Sequence, residues 1–181
     1  MSGQLENRVA IVTGAGEGIG RGIANAFIKQ GAQVVIAEIN EDLGKAAEKE
    51  LGENALFVKT DVSIKSDNER MVTAAVDRWG KLDILVNNAW SGGLISRIES
   101  KSPELMERSL NVGFLGPLWA MIAAHPVMKT QKYGRIVNLC SLNGVNAHMG
   151  TVEYNSAKEA LRSATRTAAR EWAPLGITAN I

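Results

Sequence analysis

The stretch Thr13-Gly14-Ala15-Gly16-Glu17-Gly18-Ile19-Gly20 constrains the fold of this chain more than any other. It follows the apolar run Val9-Ala10-Ile11-Val12 and precedes a helical pattern with Ile19, Ile23 and Phe27 on one face. Strand, glycine turn and helix in that order set free backbone N–H groups against a phosphate. Side chains at the glycine positions would block the turn or the approach of a pyrophosphate. A glycine-rich turn alone is a weak signal, and an ordinary strand-to-helix turn is the plain alternative. Its position between a strand and a helix argues for the nucleotide site.

The rest of the chain repeats this alternation. Short apolar, β-branched runs at 9–12, 34–37, 56–59, 84–86, 136–139 and 177–181 read as strands buried on both faces. Helical patterns fall between them at about 18–30, 41–51, 66–79, 103–128 and 155–173. In the third helix Val72, Val76 and Trp79 share a face; in the fifth, Ala157, Leu161, Ala164 and Ala168 do. Repeated β-α units predict an α/β, doubly wound Rossmann fold. Its parallel sheet of about six strands takes the order 3-2-1-4-5-6, with helices on both faces. Pro117 should kink or divide the long helical stretch.

Bulk properties narrow the function classes. The 181 residues suffice for one domain with a good core. A net charge of +1 with no basic block speaks against nucleic acid or an anionic membrane as partner. The single cysteine, Cys140, leaves no internal disulfide and suits a reducing compartment. The stretch 1–8 is polar, without a signal core, and the longest apolar run, 118–124, falls short of a membrane span. A cytoplasmic location is the expectation. Neither His125 nor His148 has company that suits a metal.

Two places carry candidate chemistry. Glu38 ends the second strand, twenty residues after Gly18. An acid there can accept both ribose hydroxyls of an adenosine and repels a 2′-phosphate, so NAD is expected over NADP. Acidic Glu17 and uncharged Ile39 agree; a solvated strand-end carboxylate is the plain alternative. Further on, Tyr154 and Lys158 stand four apart at the opening of the fifth helix, on one face. An ammonium near a phenol favours the phenolate, which lets tyrosine exchange a proton near neutral pH. Ser141, thirteen residues before Tyr154, can donate a hydrogen bond to the same substrate oxygen.

The TGxxxGxG spacing, the Asn87-Asn88-Ala89 triplet, Asn111, Ser141 and Tyr154-x-x-x-Lys158 stand in the order of the short-chain dehydrogenase/reductase family, which this chain resembles from 8 to 181. The resemblance implies a catalytic tetrad of Asn111, Ser141, Tyr154 and Lys158, with Tyr154 as acid/base and Lys158 also on the nicotinamide ribose. It places the cofactor along Thr13, Gly14, Gly16, Glu17, Gly18, Ile19 and Gly20. Asp61 would cap the adenine and Val62 touch its ring, although Asp61 serves equally well as a turn cap. Asn88 and Ala89 would brace the sheet and the cofactor.

Two departures from the family pattern stand out. Trp90 occupies the glycine position of the NNAG motif, which costs energy if the backbone there needs positive φ. Its ring goes either over the cofactor cleft or, the favoured reading, against the following loop, with Ser91-Gly92-Gly93 lending flexibility. The family also continues past the sixth strand with a Pro-Gly turn, a substrate loop and a seventh strand, whereas this sequence ends at Ile181. The expectation is a single 1–181 NAD-binding domain lacking those parts, with an unpaired apolar edge at strand six. Such a chain should catalyse weakly and form homo-oligomers through that edge or the long helices. Its expected reaction is hydride transfer between NAD(H) and a small secondary alcohol or ketone, in a mixed pocket near Leu142, Asn143, His148, Met149 and Trp90. The alternative is an NAD-binding module without turnover.

Overall fold

The computed structural model describes residues 3–181. Six parallel strands, β1 (Val9–Thr13), β2 (Gln33–Glu38), β3 (Ala55–Lys59), β4 (Ile84–Asn87), β5 (Gly134–Asn138) and β6 (Ile177–Asn180), form one sheet ordered β3-β2-β1-β4-β5-β6. This is the doubly wound arrangement that the alternating pattern predicts. The helices are α1 (Gly18–Lys29), α2 (Glu41–Leu51), α3 (Lys65–Trp79), α4 (Pro103–Leu110), α5 (Gly116–Gln131), α6 (Leu142–Val145) and α7 (Val152–Trp172).

The core divides by sheet face. Ile11, Val35, Leu85 and Ile136 pack with Met71, Met121, Met128 and Ala168 from α3, α5 and α7. Val12, Val34, Ile36 and Val86 pack with Ala24 and Ala47 from α1 and α2. Strands β1 and β4 are buried throughout, because neighbours flank them on both sides and helices cover both faces.

Several expectations need correction. Strands β5 and β6 are not buried on both faces: Val137, Thr178 and Asn180 are exposed while Ile136, Ile177 and Ala179 are buried. The apolar residues of edge strand β6 thus turn inward under α7, and its exposed side chains are polar. In α1, Ile23 and Phe27 pack on the core, but Ile19 is 70% exposed at the helix start. The stretch from Pro103 to Gln131 runs on as one helix in which the irregularity is a π-helical turn at Asn111–Leu115. Pro117 follows directly on that π-helical turn, so the expected break at the proline appears as this local irregularity and does not divide the helix. By length and composition this helix could cross a membrane, yet Ala120, Met121, Ala124 and Met128 are buried in the domain core. Helix α7 begins at Val152, so Tyr154 lies in its first turn, and the short α6 precedes it.

Candidate active site

The strands deliver their C-terminal ends to one rim, and the expected site residues gather there. Thr13, at the end of β1, is 1% exposed, and its Oγ1 accepts the backbone N–H groups of Asn88 and Ala89, each at 3.0 Å. The Asn88 amide returns the tie by donating to the carbonyls of Thr13 at 2.8 Å and Gly14 at 3.2 Å. Together they fix the glycine turn against the end of β4. Gly18 adopts φ +58°, a region that other residues seldom enter, and nothing lies within 4 Å of where its Cβ would stand. Helix α1 has no side-chain cap, so its first turn presents N–H groups to an open front. That front fits a diphosphate.

Glu38 is not a solvated carboxylate; it is 8% exposed. Its Oε2 accepts the Gly16 N–H at 3.1 Å and its Oε1 the Asn40 N–H at 3.0 Å. The acid therefore stands across the glycine turn. Asp61 serves as a turn cap: its Oδ1 accepts both the N–H and the hydroxyl of Ser63, at 2.9 and 2.7 Å. A cleft of about 780 Å³ runs along Gly14, Glu17, Ile19, Glu38, Asp61 and Val62, and continues past Asn88 and Ala89 to Trp90 and Asn111. Its Glu38 and glycine-turn ends, singled out from separate motifs, form one continuous channel.

Asn111 is exposed at the head of the π-helical turn, where its carbonyl accepts the Gly116 N–H. Such turns recur at functional sites because they push one residue out of helical register. Ser141 follows β5 and caps α6, accepting the Asn143 N–H at 3.1 Å. Lys158 is 4% exposed, and its ammonium donates to the Leu139 carbonyl at 2.6 Å, fastening α7 to the end of β5. Burial pushes the Lys158 ammonium below the ordinary lysine range, with the Cys140 thiol opposing. The same burial raises the Cys140 thiol above its usual value, and the Lys158 charge works against that rise.

Trp90 corrects the loop-packing expectation. Its ring meets that of Tyr154 at 4.7 Å between centroids, and Lys158 Nζ lies 5.5 Å from the Trp90 centroid and 5.7 Å from the Tyr154 centroid. Among the described non-glycine residues only Asn7, Lys132 and Ala147 have positive φ, so Trp90 replaces the motif glycine without backbone strain. Gly113, on the π-helical turn, makes the room: a Cβ there would stand 2.5 Å from the indole ring. Gly93 likewise does more than lend flexibility, since a Cβ on it would stand 2.3 Å from Glu153 Oε1.

Sequence reading passed over two other features. One is a buried amide relay in which Asn87 donates to Asn138 Oδ1 at 2.7 Å and Asn138 to Thr165 Oγ1 at 2.8 Å. The other is an ion pair at 2.6 Å between the side chains of Lys101 and Glu153, which are 2% and 1% exposed. Polar residues inside apolar strands hinted at the first; nothing in the spacing of 101 and 153 pointed to the second. No group of three or more potential metal ligands exists among the described residues.

Comparison with known proteins agrees with this geometry. The family described as short chain dehydrogenase matches residues 8–181. The diacetyl reductase [(S)-acetoin forming] of Staphylococcus epidermidis is 37% identical over 178 residues, which span 96% of this chain and 69% of that protein. The xanthoxin dehydrogenase of Arabidopsis thaliana is also 37% identical, over 99% of this chain and 65% of its own length. Among solved structures, the NADH complex of 3-ketoacyl-(acyl-carrier-protein) reductase from Brucella melitensis superposes with a TM-score of 0.94 at 34% identity. That match covers 97% of this chain and 74% of the other. NAD⁺-bound xylitol dehydrogenase gives the same TM-score at 30% identity, over 98% and 69%. A glycine turn open to a nucleotide, a tyrosine and lysine one turn apart on α7, and these likenesses agree: the chain belongs to the short chain dehydrogenase family of NAD-dependent oxidoreductases.

Proposed function

We propose that this protein transfers a hydride between NAD(H) and a small secondary alcohol or ketone, with Tyr154 as the acid/base. The observation that carries the reading is the meeting of Tyr154 and the buried Lys158 beside the end of the glycine-turn cleft. When bound, the nicotinamide takes or supplies the hydride. The first turn of α1 would hold the diphosphate, Glu38 the adenosine ribose, Asp61 and Val62 the adenine side, and Asn88 and Ala89 the middle of the cleft. Glu38 already accepts two backbone N–H groups, and a carboxylate at that point favours ribose hydroxyls over a 2′-phosphate. NAD is therefore the preferred form.

At the reacting end, Tyr154 exchanges the proton of the substrate oxygen. Ser141 donates a hydrogen bond to the same atom, and the Lys158 ammonium stabilises charge that develops on the phenol. Asn111 stands exposed at the π-helical turn, free to hold water for proton exchange. The bulk of Trp90 narrows the space around Tyr154.

A steady-state assay of NADH formation over a panel of secondary alcohols tests the reading. Tyr154→Phe keeps the ring and deletes the acid, and should lower the rate by roughly two to four orders of magnitude with NAD affinity little changed. NAD binding without turnover of any panel member would favour a nucleotide-binding module. A near-normal rate from Tyr154→Phe would give the proton to another group.

A further inference from the structure

The segment 91–101, which leads away from Trp90, is fastened to the residue next to Tyr154 by groups from which water is excluded. The side chains of Lys101 and Glu153 are 2% and 1% exposed, with Nζ and Oε2 2.6 Å apart. The ammonium also donates to the carbonyls of Leu94 at 2.5 Å and Gly150 at 2.9 Å. The Ser96 N–H reaches the same Gly150 carbonyl at 3.1 Å. Gly93 passes so close to Glu153 that Oε1 would stand 2.3 Å from a Cβ there, and this oxygen has no hydrogen-bond partner.

A buried ion pair is a poor source of stability, because two charges lose their hydration and apolar residues of like size often do as well or better. Separating the two once they are buried is costly, because each charge would be left without its partner. Here the pair joins the segment carrying Trp90 to the helix turn carrying Tyr154, and those two rings meet edge to face.

We propose that Lys101 and Glu153 are positioning residues: their ion pair holds the 91–101 segment so that the Trp90 ring stays against Tyr154. The segment is then a fixed wall of the substrate pocket rather than a mobile flap. This rests on Tyr154 being the acid/base, but the test below needs neither cofactor nor turnover, so either reading can fail alone.

The chain has two tyrosines, and Tyr133 provides an internal control, lying between the guanidinium groups of Arg8 and Arg135 away from Tyr154. Each phenol is acetylated with N-acetylimidazole, and its rate is followed by peptide mass spectrometry. Glu153→Gln and the apolar pair Lys101→Met/Glu153→Leu should each raise the Tyr154 rate about fivefold or more, leaving Tyr133 unchanged. The double variant should do so even if its melting temperature equals that of the unmodified protein. A Tyr154 rate within about twofold of the unmodified protein in a folded variant would overturn the proposal, as would equal rises at both tyrosines. Hydrogen exchange on the unmodified protein supplies a measurement free of variant folding. The Ser96 amide should be protected like the amides of α7, and exchange as fast as in a free loop would also overturn it.

Discussion

The rings of Trp90 and Tyr154 meet edge to face, with centroids 4.7 Å apart and planes at 82°. The contact exists because Gly113 leaves a notch on the π-helical turn and because the backbone at 90 has no need of positive φ. Aromatic pairs of this geometry contribute about 0.5–1.5 kcal/mol beyond their burial. Trp90→Gly, which restores the usual motif, should therefore destabilise the protein by about 2 kcal/mol, combining that contact with a partly filled cavity. Urea unfolding measures it. The same change should widen the range of ketones accepted, since the wall beside Tyr154 retreats.

Cofactor choice rests on Glu38. NAD(H) should bind at least tenfold more tightly than NADP(H), a difference of about 1.4 kcal/mol or more. Glu38→Ala should narrow that gap and weaken NAD binding too, because the Gly16 and Asn40 N–H groups lose their acceptor. Fluorescence titration with NADH and NADPH reads both effects. Equal affinities in the unmodified protein would remove this role from Glu38.

Lys158 opposes stability and function. Its charged form is disfavoured by burial, so its folded value lies below the unfolded one. Folding then releases a proton, and stability rises with pH between the folded and unfolded values. That gain is lost as pH falls through the folded value. Lys158→Met should remove this component of the pH dependence, while the Leu139 carbonyl loses its donor and NAD binding and turnover weaken. Melting temperatures of both proteins from pH 7 to about 10.5 give the comparison.

The relay Asn87–Asn138–Thr165 is structural. Thr165 donates onward to the Leu161 carbonyl at 2.7 Å, so each member has a partner. Thr165→Val keeps the shape and leaves the Asn138 amide without its acceptor, costing about 1–3 kcal/mol. Affinity for NAD should not change. A loss of stability with unchanged binding in calorimetry separates this relay from the cleft.

The sequence alone determined the layout. Apolar runs too short for helices, separated by helical patterns, admit a parallel sheet covered on both faces, and the glycine turn after the first strand points to the dinucleotide-binding strand order. The glycine turn and Tyr154-x-x-x-Lys158 were legible because their geometry is local: a strand-to-helix turn, and two residues one helical turn apart. Tertiary structure decided everything that rests on separate elements. The burial of Glu38 comes from the glycine turn folding across it, and the inward turn of Trp90 depends on the notch at Gly113. Lys101 finds Glu153 only after α7 packs beside the 91–101 segment. Periodicity reports which face of one element is apolar, but a side chain's partner depends on the distances between elements, and only the folded sheet sets those.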